Sequence, residues 1–320
     1  MQLKLAGMGL FSRARKQEGV LVVTLSSDGI QAVVVRTPVL DKPAAMVKFA
    51  AAEPAERPAA LEKLGKELGA SRYRGTTLLL PGEYQLLSVE APNVPQEEVR
   101  TAVRWRLKDM IDFPIDEATV DFLDIPVDRA ATAQTLSLFA VAARNSLVSE
   151  RQRLFHRAGF RLAVIDIPEL AQRNVSALLE REGRGQAMLS FDSQGGLLTI
   201  SYQGELYLAR RIDITLEQLR DAPEERRQAT YDRITLELQR SLDNFERQFH
   251  FITTARLTLA PTGVAGLFEC LAENLYIPVD QLDLTELFDL TGLADAQDPV
   301  QQQQCFLALG AALRVEEVKR

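Results

Sequence analysis

Apolar positions along this chain fall into two kinds of run. Short stretches of aliphatic and β-branched residues, bounded by turn formers, predict buried strands at Val20–Val23, Ile30–Val35, Thr76–Leu80, Ala187–Phe191, Leu197–Tyr202 and Arg256–Ala260. Further strands are predicted at Met46–Phe49, Tyr84–Glu90, Thr119–Ile125, Thr135–Ala142, Arg161–Ile167 and Glu205–Ile212. Longer stretches repeat their apolar residues every three or four positions and predict amphipathic helices. These are Glu53–Leu68, Ser146–Ala158, Pro168–Leu179, Pro223–Phe249, Val264–Leu275 and Gln301–Arg314. The clearest carries Tyr231, Ile234, Leu238, Leu242, Phe245 and Phe249 on one face.

One more helix is predicted from Pro95 to Asp112. Pro95 suits the first helical position, where a missing N–H costs nothing, and Glu97 and Glu98 suit the positive end of the helix dipole. Val99, Val103, Met110 and Ile111 define its apolar stripe, with Ala102 and Leu107 beside them; Pro114 ends it. Trp105 lies on this helix either as a partly buried core residue or as an exposed anchor for a partner. The carboxylates of Asp109, Asp112, Asp116 and Glu117 gather at the Pro114 corner as a solvated rim.

The order of elements repeats. A strand, the turn Ser26-Ser27-Asp28-Gly29 and a returning strand open the first part of the chain. The same grammar restarts with a strand, the turn Asp192–Gly196 and a strand, followed by a Gln203-Gly204 hairpin. Between them, Tyr84–Ile167 reads strand, helix, strand, strand, helix, strand, a compact α+β unit. The charged run Glu180–Gln186 marks a boundary between lobes. A division follows: an arm at 1–18, a first-lobe core at 19–83, an inserted α+β subdomain at 84–167, a return helix and boundary at 168–185, and a second lobe at 186–320.

Composition adjusts this picture in a few places. A length of 320 residues exceeds the usual single core and agrees with two lobes. A net charge of −7 and a pI near 5.2 argue against a nucleic-acid partner. No stretch reaches the ~20 apolar residues that span a bilayer. Cys270 and Cys305 suggest no disulfide framework and fit a reducing cytoplasm. His156 and His250 read as packing or surface residues, and no Cys/His cluster suggests a metal site. The segment Met1–Lys16 mixes apolar and basic residues and lacks the features of a secretory signal. It reads as an arm touching anionic lipid or a partner, or as a disordered leader. There is no Walker-type glycine loop and no Gly-x-Ser-x-Gly elbow.

The stretch VRWRLKDMIDFPIDEATVDF, together with the duplicated order of elements, resembles the PilM-type actin-like proteins of type IV pilus assembly. Within them it is similar to the MshI group of mannose-sensitive haemagglutinin pilus systems. The resemblance extends from about Val20 to Leu313. It implies an α/β, two-lobed actin-like fold of the Hsp70, FtsA and PilM type, with the α+β insert in the first lobe.

In that fold, small residues of the two opening turns cradle nucleotide phosphates and acidic residues work beside Mg²⁺. The family's first loop, Asp-x-Gly-Ser-Ser-x-x-Lys, falls on Thr24–Gln31, with Thr24, Ser26 and Gln31 in place of its Asp, Gly and Lys. Its second Asp-x-Gly falls on Ser190-Phe191-Asp192, and a registration shifted by two residues would restore the acid at Asp192. Its Gly-Gly adenosine turn falls on Pro261-Thr262, leaving Gly263 alone. Asp28 and Asp192 are ordinary turn formers or members of a relocated metal site.

The resemblance therefore implies a non-enzymatic cytoplasmic scaffold, peripheral at the inner membrane. No cofactor is required. Its partners would be the cytoplasmic tail of a PilN-like bitopic inner-membrane protein and other pilus platform proteins. The tail would dock near Arg104, Trp105, Arg106 and Asp109, in a groove between the insert and its neighbouring subdomain. The alternative is an ATP/Mg-binding switch that uses Ser26, Ser27, Asp28, Gly29, Asp192, Gly195, Gly196 and Gly263. A small-molecule kinase of the same superfold would need a catalytic acid in the cleft, and none stands out.

Overall fold

The structure, a computed structural model, describes residues 19–26, 29–36, 42–127, 136–221, 223–290 and 292–314. It opens with three antiparallel strands, β1 (Val20–Leu25), β2 (Gly29–Arg36) and β3 (Ala44–Ala51). Helix α1 (Arg57–Leu68) buries Leu61, Leu64 and Leu68 against this sheet and returns the chain to β4 (Arg74–Leu78), parallel to β1. Then comes a separate three-stranded sheet: β5 (Tyr84–Glu90), helix α2 (Val99–Leu107), β6 (Ala118–Ile125) and β7 (Ser137–Arg144), in the order β5-β7-β6. Helix α3 (Asn145–Arg157) carries the chain back to β8 (Leu162–Asp166), parallel to β4 at the edge of the first sheet.

Helix α4 (Pro168–Leu179) crosses to the second half. There β9 (Gly185–Asp192), β10 (Gly195–Tyr202) and β11 (Glu205–Ile212) repeat the antiparallel meander. Helices α5 (Leu216–Arg220) and α6 (Glu224–Gln248) follow, then β12 (Thr254–Leu259) parallel to β9, α7 (Leu267–Asn274), β13 (Val279–Gln281) parallel to β12, and α8 (Pro299–Ala312). The sheet orders are β3-β2-β1-β4-β8 and β11-β10-β9-β12-β13, one plan used twice.

The two halves exchange helices. α4 leaves the first half and packs on β9, β10 and β11, while α8 leaves the second and packs on β1, β2 and β4. The two helices also lie against each other. A Cβ on Gly310 of α8 would collide with the carbonyl oxygen of Ala171 in α4, so only glycine allows this approach. Asn174 reinforces it by donating to the Gly310 carbonyl at 2.9 Å.

Several expectations are corrected. α2 begins at Val99, because Pro95 opens a turn in which its carbonyl accepts the Glu98 N–H at 2.9 Å. The helix ends at Leu107, and the chain beyond it turns so that Phe113, not Met110, re-enters the core of the three-stranded sheet. Val103 and Leu107 are fully buried, whereas Met110, beyond the helix, is 47% exposed. The unit expected over Tyr84–Ile167 is divided: only β5–β7 and α2 make their own sheet and core, and β8 belongs to the first sheet because its crossover through α3 sets it parallel to β4. α5 and β13, each under six residues, carry too little periodicity to be read from sequence. The arm at 1–18, Ser27, Asp28 and the loop over 128–134 lie outside the described residues.

Candidate functional site: the interlobe cleft and the insert surface

The turns after β1 and β9 and the turn after β12 are the three segments onto which the sequence sets the nucleotide loops of the resembled family. In the first turn, Ser26 is engaged within its own chain. Its N–H and hydroxyl both donate to the Gly29 carbonyl, at 2.9 and 3.1 Å, and its carbonyl accepts from Arg57 at 2.5 Å. Thr24 is half-buried opposite Gln31 in the β1–β2 pair.

Near the end of β9, the Ser190 hydroxyl donates to Gln172 Oε1 of α4 at 2.5 Å. The amide of Gln172, fully buried, donates to the carbonyls of Met188 and Leu197 at 2.9 and 3.0 Å and to the Thr199 hydroxyl at 3.0 Å. Ser190 is thus part of the latch between α4 and the second sheet. Asp192 Oδ1 accepts the Gln194 N–H at 2.7 Å, the hydrogen bond of an Asx turn. Burial raises the Asp192 pKa above the ordinary carboxylate value, against the lowering effect of that turn and of Arg211. Gly195 adopts φ +131° with its α-carbon so close to β11 that a Cβ would lie 2.7 Å from the Ile212 carbonyl oxygen. A Cβ on Gly196 would meet the Phe191 ring at the same distance. Strand packing alone therefore accounts for both glycines.

In the third turn, Thr262 is buried. Its hydroxyl accepts the Val264 N–H at 3.1 Å, and its carbonyl accepts two bonds from the Arg220 guanidinium, at 3.2 and 2.7 Å. The Val300 side chain occupies the space over Gly263.

Sequence reasoning missed the most heavily charged part of this region. Glu169, in the first turn of α4, is 3% exposed. Tyr84, from β5, donates its hydroxyl to Glu169 Oε2 at 2.5 Å. Arg211, from β11, donates to Glu169 Oε1 at 3.0 Å and to the Tyr84 oxygen at 3.2 Å, and its other terminal nitrogen lies 4.0 Å from Asp192. One small network thus joins the insert, the exchanged helix and the second sheet. The signal in the sequence was a glutamate directly after Pro168 in an apolar helix, and an arginine near the end of a buried strand. Neither names its partner.

On the insert, the candidate docking residues divide. Trp105 is 68% exposed, which excludes the core alternative, and the Lys108 ammonium lies 5.8 Å from its ring centroid. Arg106 faces Glu90 at 3.5 Å, and Asp109 is exposed. Arg104 is half-buried and donates to the carbonyls of Ala118 and Ile115, both at 2.7 Å, so it fixes α2 to the start of β6. A separate groove of about 780 Å³ runs between α3 and β8, with Arg153, His156, Arg157 and Arg161 above Phe160 and Leu162.

A duplicated five-stranded plan with exchanged helices and an insert in the first half defines an actin-like fold. Its backbone is similar to that of the "PilM-PilN type IV pilus biogenesis complex", 21% identical, with 93% of this chain and 98% of that chain covered and a TM-score of 0.69. An actin-like ATPase fold protein of unknown function from Bacteroides thetaiotaomicron is 11% identical, with 88% and 96% covered and a TM-score of 0.49. The cytoplasmic domain of EpsL, an inner membrane component of the type II secretion system of Vibrio cholerae, is 14% identical, with 89% and 94% covered and a TM-score of 0.47. No curated protein matches the chain. The profile of the family described as type IV pilus assembly protein PilM matches residues 40–200, half of the sequence. The chain belongs to that family.

Proposed function

We propose that this protein is a non-enzymatic scaffold of a type IV pilus assembly platform, held at the cytoplasmic face of the inner membrane by the cytoplasmic tail of a PilN-like bitopic protein. Other platform proteins would assemble on it. The resemblance of the stretch VRWRLKDMIDFPIDEATVDF to the MshI group is what supports reading that platform as an MSHA-like one. No helix among the described residues is long and apolar enough to cross a membrane, so a membrane-borne partner is the means of recruitment. The solved complex of PilM with PilN is the structural likeness behind the choice of partner.

The observation that carries the docking reading is Trp105, a large indole left two-thirds exposed on a small subdomain. Burying such a side chain against a partner is worth ~2–3 kcal/mol. A short unfolded tail loses ordering entropy on docking and binds moderately. Arg106 and Lys108 beside the indole favour an acidic or amide-rich tail.

The cleft supports the non-enzymatic part. Thr24 and Ser190 bring no charge, Ser26 spends its donors inside its own turn, and the third turn is filled by Arg220 and Val300. These residues do not fit a magnesium nucleotide, and no cofactor is assigned. Titration of a labelled tail peptide against wild type and Trp105→Ala tests the docking: the variant should bind at least tenfold more weakly, about 1.4 kcal/mol, with an unchanged melting curve. Intact binding would move the site elsewhere. Micromolar binding of Mg-ATP by the wild type would overturn the nucleotide-free reading.

A further inference from the structure

The groove of about 780 Å³ between α3 and β8 belongs neither to the surface around Trp105 nor to the three turns. Its polar lining is Ser149, Gln152, Arg153, His156, Arg157 and Arg161. Each can donate a hydrogen bond, the arginines carry a permanent positive charge, and none is a carboxylate. In a chain with 44 acidic residues against 37 basic ones, a surface of average composition would include acids. Arg153, Arg157 and Arg161 are exposed and take part in no ion pair among the described residues. Arg153 donates only to the Ser149 carbonyl of its own helix, at 3.2 Å. Arg151, on the buried face of α3, is by contrast bound to Glu83 at 2.8 Å. The duplicated plan supplies an internal comparison. α7 precedes the edge strand β13 as α3 precedes β8, yet it carries Glu269 and Glu273 and no basic residue. The fold therefore does not require arginines at this place.

Two features select the kind of anion. β8 is a sheet edge, the usual template for an added peptide strand, but its pairing with β4 skips Ala163: Gly75 pairs with Leu162 and Thr76 with Val164. Such a bulge, placed at the groove, turns the edge away from a further strand. The donor-rich lining instead matches a phosphate diester, whose oxygens only accept and which a guanidinium holds bidentately. Phe160 and Leu162 beneath the arginines add an apolar floor that a free inorganic phosphate would not use. We propose that this groove binds the phosphate headgroup of an anionic phospholipid and turns the α3–β8 face towards the bilayer. This rests on the reading of the protein as one held at the membrane face. A body of net charge −7 is repelled by an anionic leaflet unless a basic face leads. Within a Debye length, ~8 Å, each arginine on that face is attracted instead. The contact orients a molecule that the partner's tail already holds.

The test uses full-length protein and vesicles without any tail peptide, so that its failure is distinct from failure of tail docking. Wild type should co-sediment with phosphatidylglycerol-rich vesicles at low salt, should ignore pure phosphatidylcholine, and should be released as salt rises. The triple variant Arg153→Gln, Arg157→Gln, Arg161→Gln should bind at least tenfold more weakly with an unchanged melting curve. Arg161→Gln alone, which leaves α3 untouched, should show a smaller loss in the same direction. Removing the same charge from exposed arginines beside β9 and on α6, as Arg184→Gln, Arg226→Gln, Arg233→Gln, should leave binding within about threefold of wild type. Wild type that ignores phosphatidylglycerol would overturn the proposal, as would equal losses in the two triple variants. Undiminished binding by the groove variant would overturn it too, handing the contact to Met1–Lys16 or another surface. Full displacement by inorganic phosphate at matched ionic strength would make the groove a free-anion site. An acidic peptide that binds wild type more tightly than the vesicles do, and the groove variant not at all, would make it a protein-docking site. Either result overturns the lipid assignment.

Discussion

At the residue scale, the cleft positions substitute uncharged or self-satisfied groups for exposed chemistry. Asp192 shows how this can be measured. Its pKa is raised, chiefly by burial, so folding works against its charged form even with Arg211 nearby. The sign follows from proton linkage. Below the ordinary carboxylate value the side chain is neutral in both states and costs nothing. As pH rises from that value to the raised folded value, the unfolded state ionises first and stability falls. Asparagine keeps an oxygen to accept the Gln194 N–H and removes the titration. Asp192→Asn should therefore melt at or above the wild type at pH 8, by roughly a degree or two, with the gain shrinking towards zero as pH falls through the acid range. A variant less stable than wild type at pH 8 would mean that the Arg211 attraction outweighs burial. None of this was legible in advance. Tyr84 and Arg211 are 127 positions apart, and Glu169 lies 42 from the arginine it binds, so no local pattern joins them.

At the element scale, the sequence was informative where turn formers or prolines bound a run of one periodicity. β5, α4 and β11 have the limits that alternation and helical spacing predict, and α6 differs by one residue at each end. It was misleading where apolar residues continue past the surface that can bury them, as with Met110 beyond the end of α2. It was silent about which sheet a strand joins, since β8 looks the same whether it pairs with the insert or with β4. The contact between α4 and α8 is the element-level feature on which the two halves depend. Glycine within a helix costs about 1 kcal/mol relative to alanine, so at an ordinary site Gly310→Ala would stabilise. Here the new methyl meets the Ala171 carbonyl, and the helices must move apart. Overpacking of this kind costs about 1–3 kcal/mol. Urea unfolding of Gly310→Ala should show a lower midpoint with an unchanged slope. A higher midpoint would mean that the helix pair yields freely and does not set the lobe spacing.

At the scale of the whole molecule, helix exchange makes each half structurally dependent on the other. α8 belongs by sequence to the second lobe but completes the core of the first, where Cys305, Phe306 and Leu309 meet Val22, Val33 and Leu78. Arg314, just past its end, donates to the buried carboxylate of Asp166 at the end of β8, at 2.9 Å. A lobe cannot open far without pulling this helix from apolar surroundings. Cys305 reports on that event. It is fully buried, and burial pushes its thiol pKa up to about 12, so the native state offers neither access nor thiolate. In a Cys270→Ser background, iodoacetamide labelling of Cys305 should be negligible under native conditions and should rise only along the global unfolding transition in urea. Its protection should give the same free energy as the circular dichroism melt. Labelling well before that transition would reveal a sub-global opening in which α8 leaves the first lobe, and the platform geometry would then be switchable rather than constitutive.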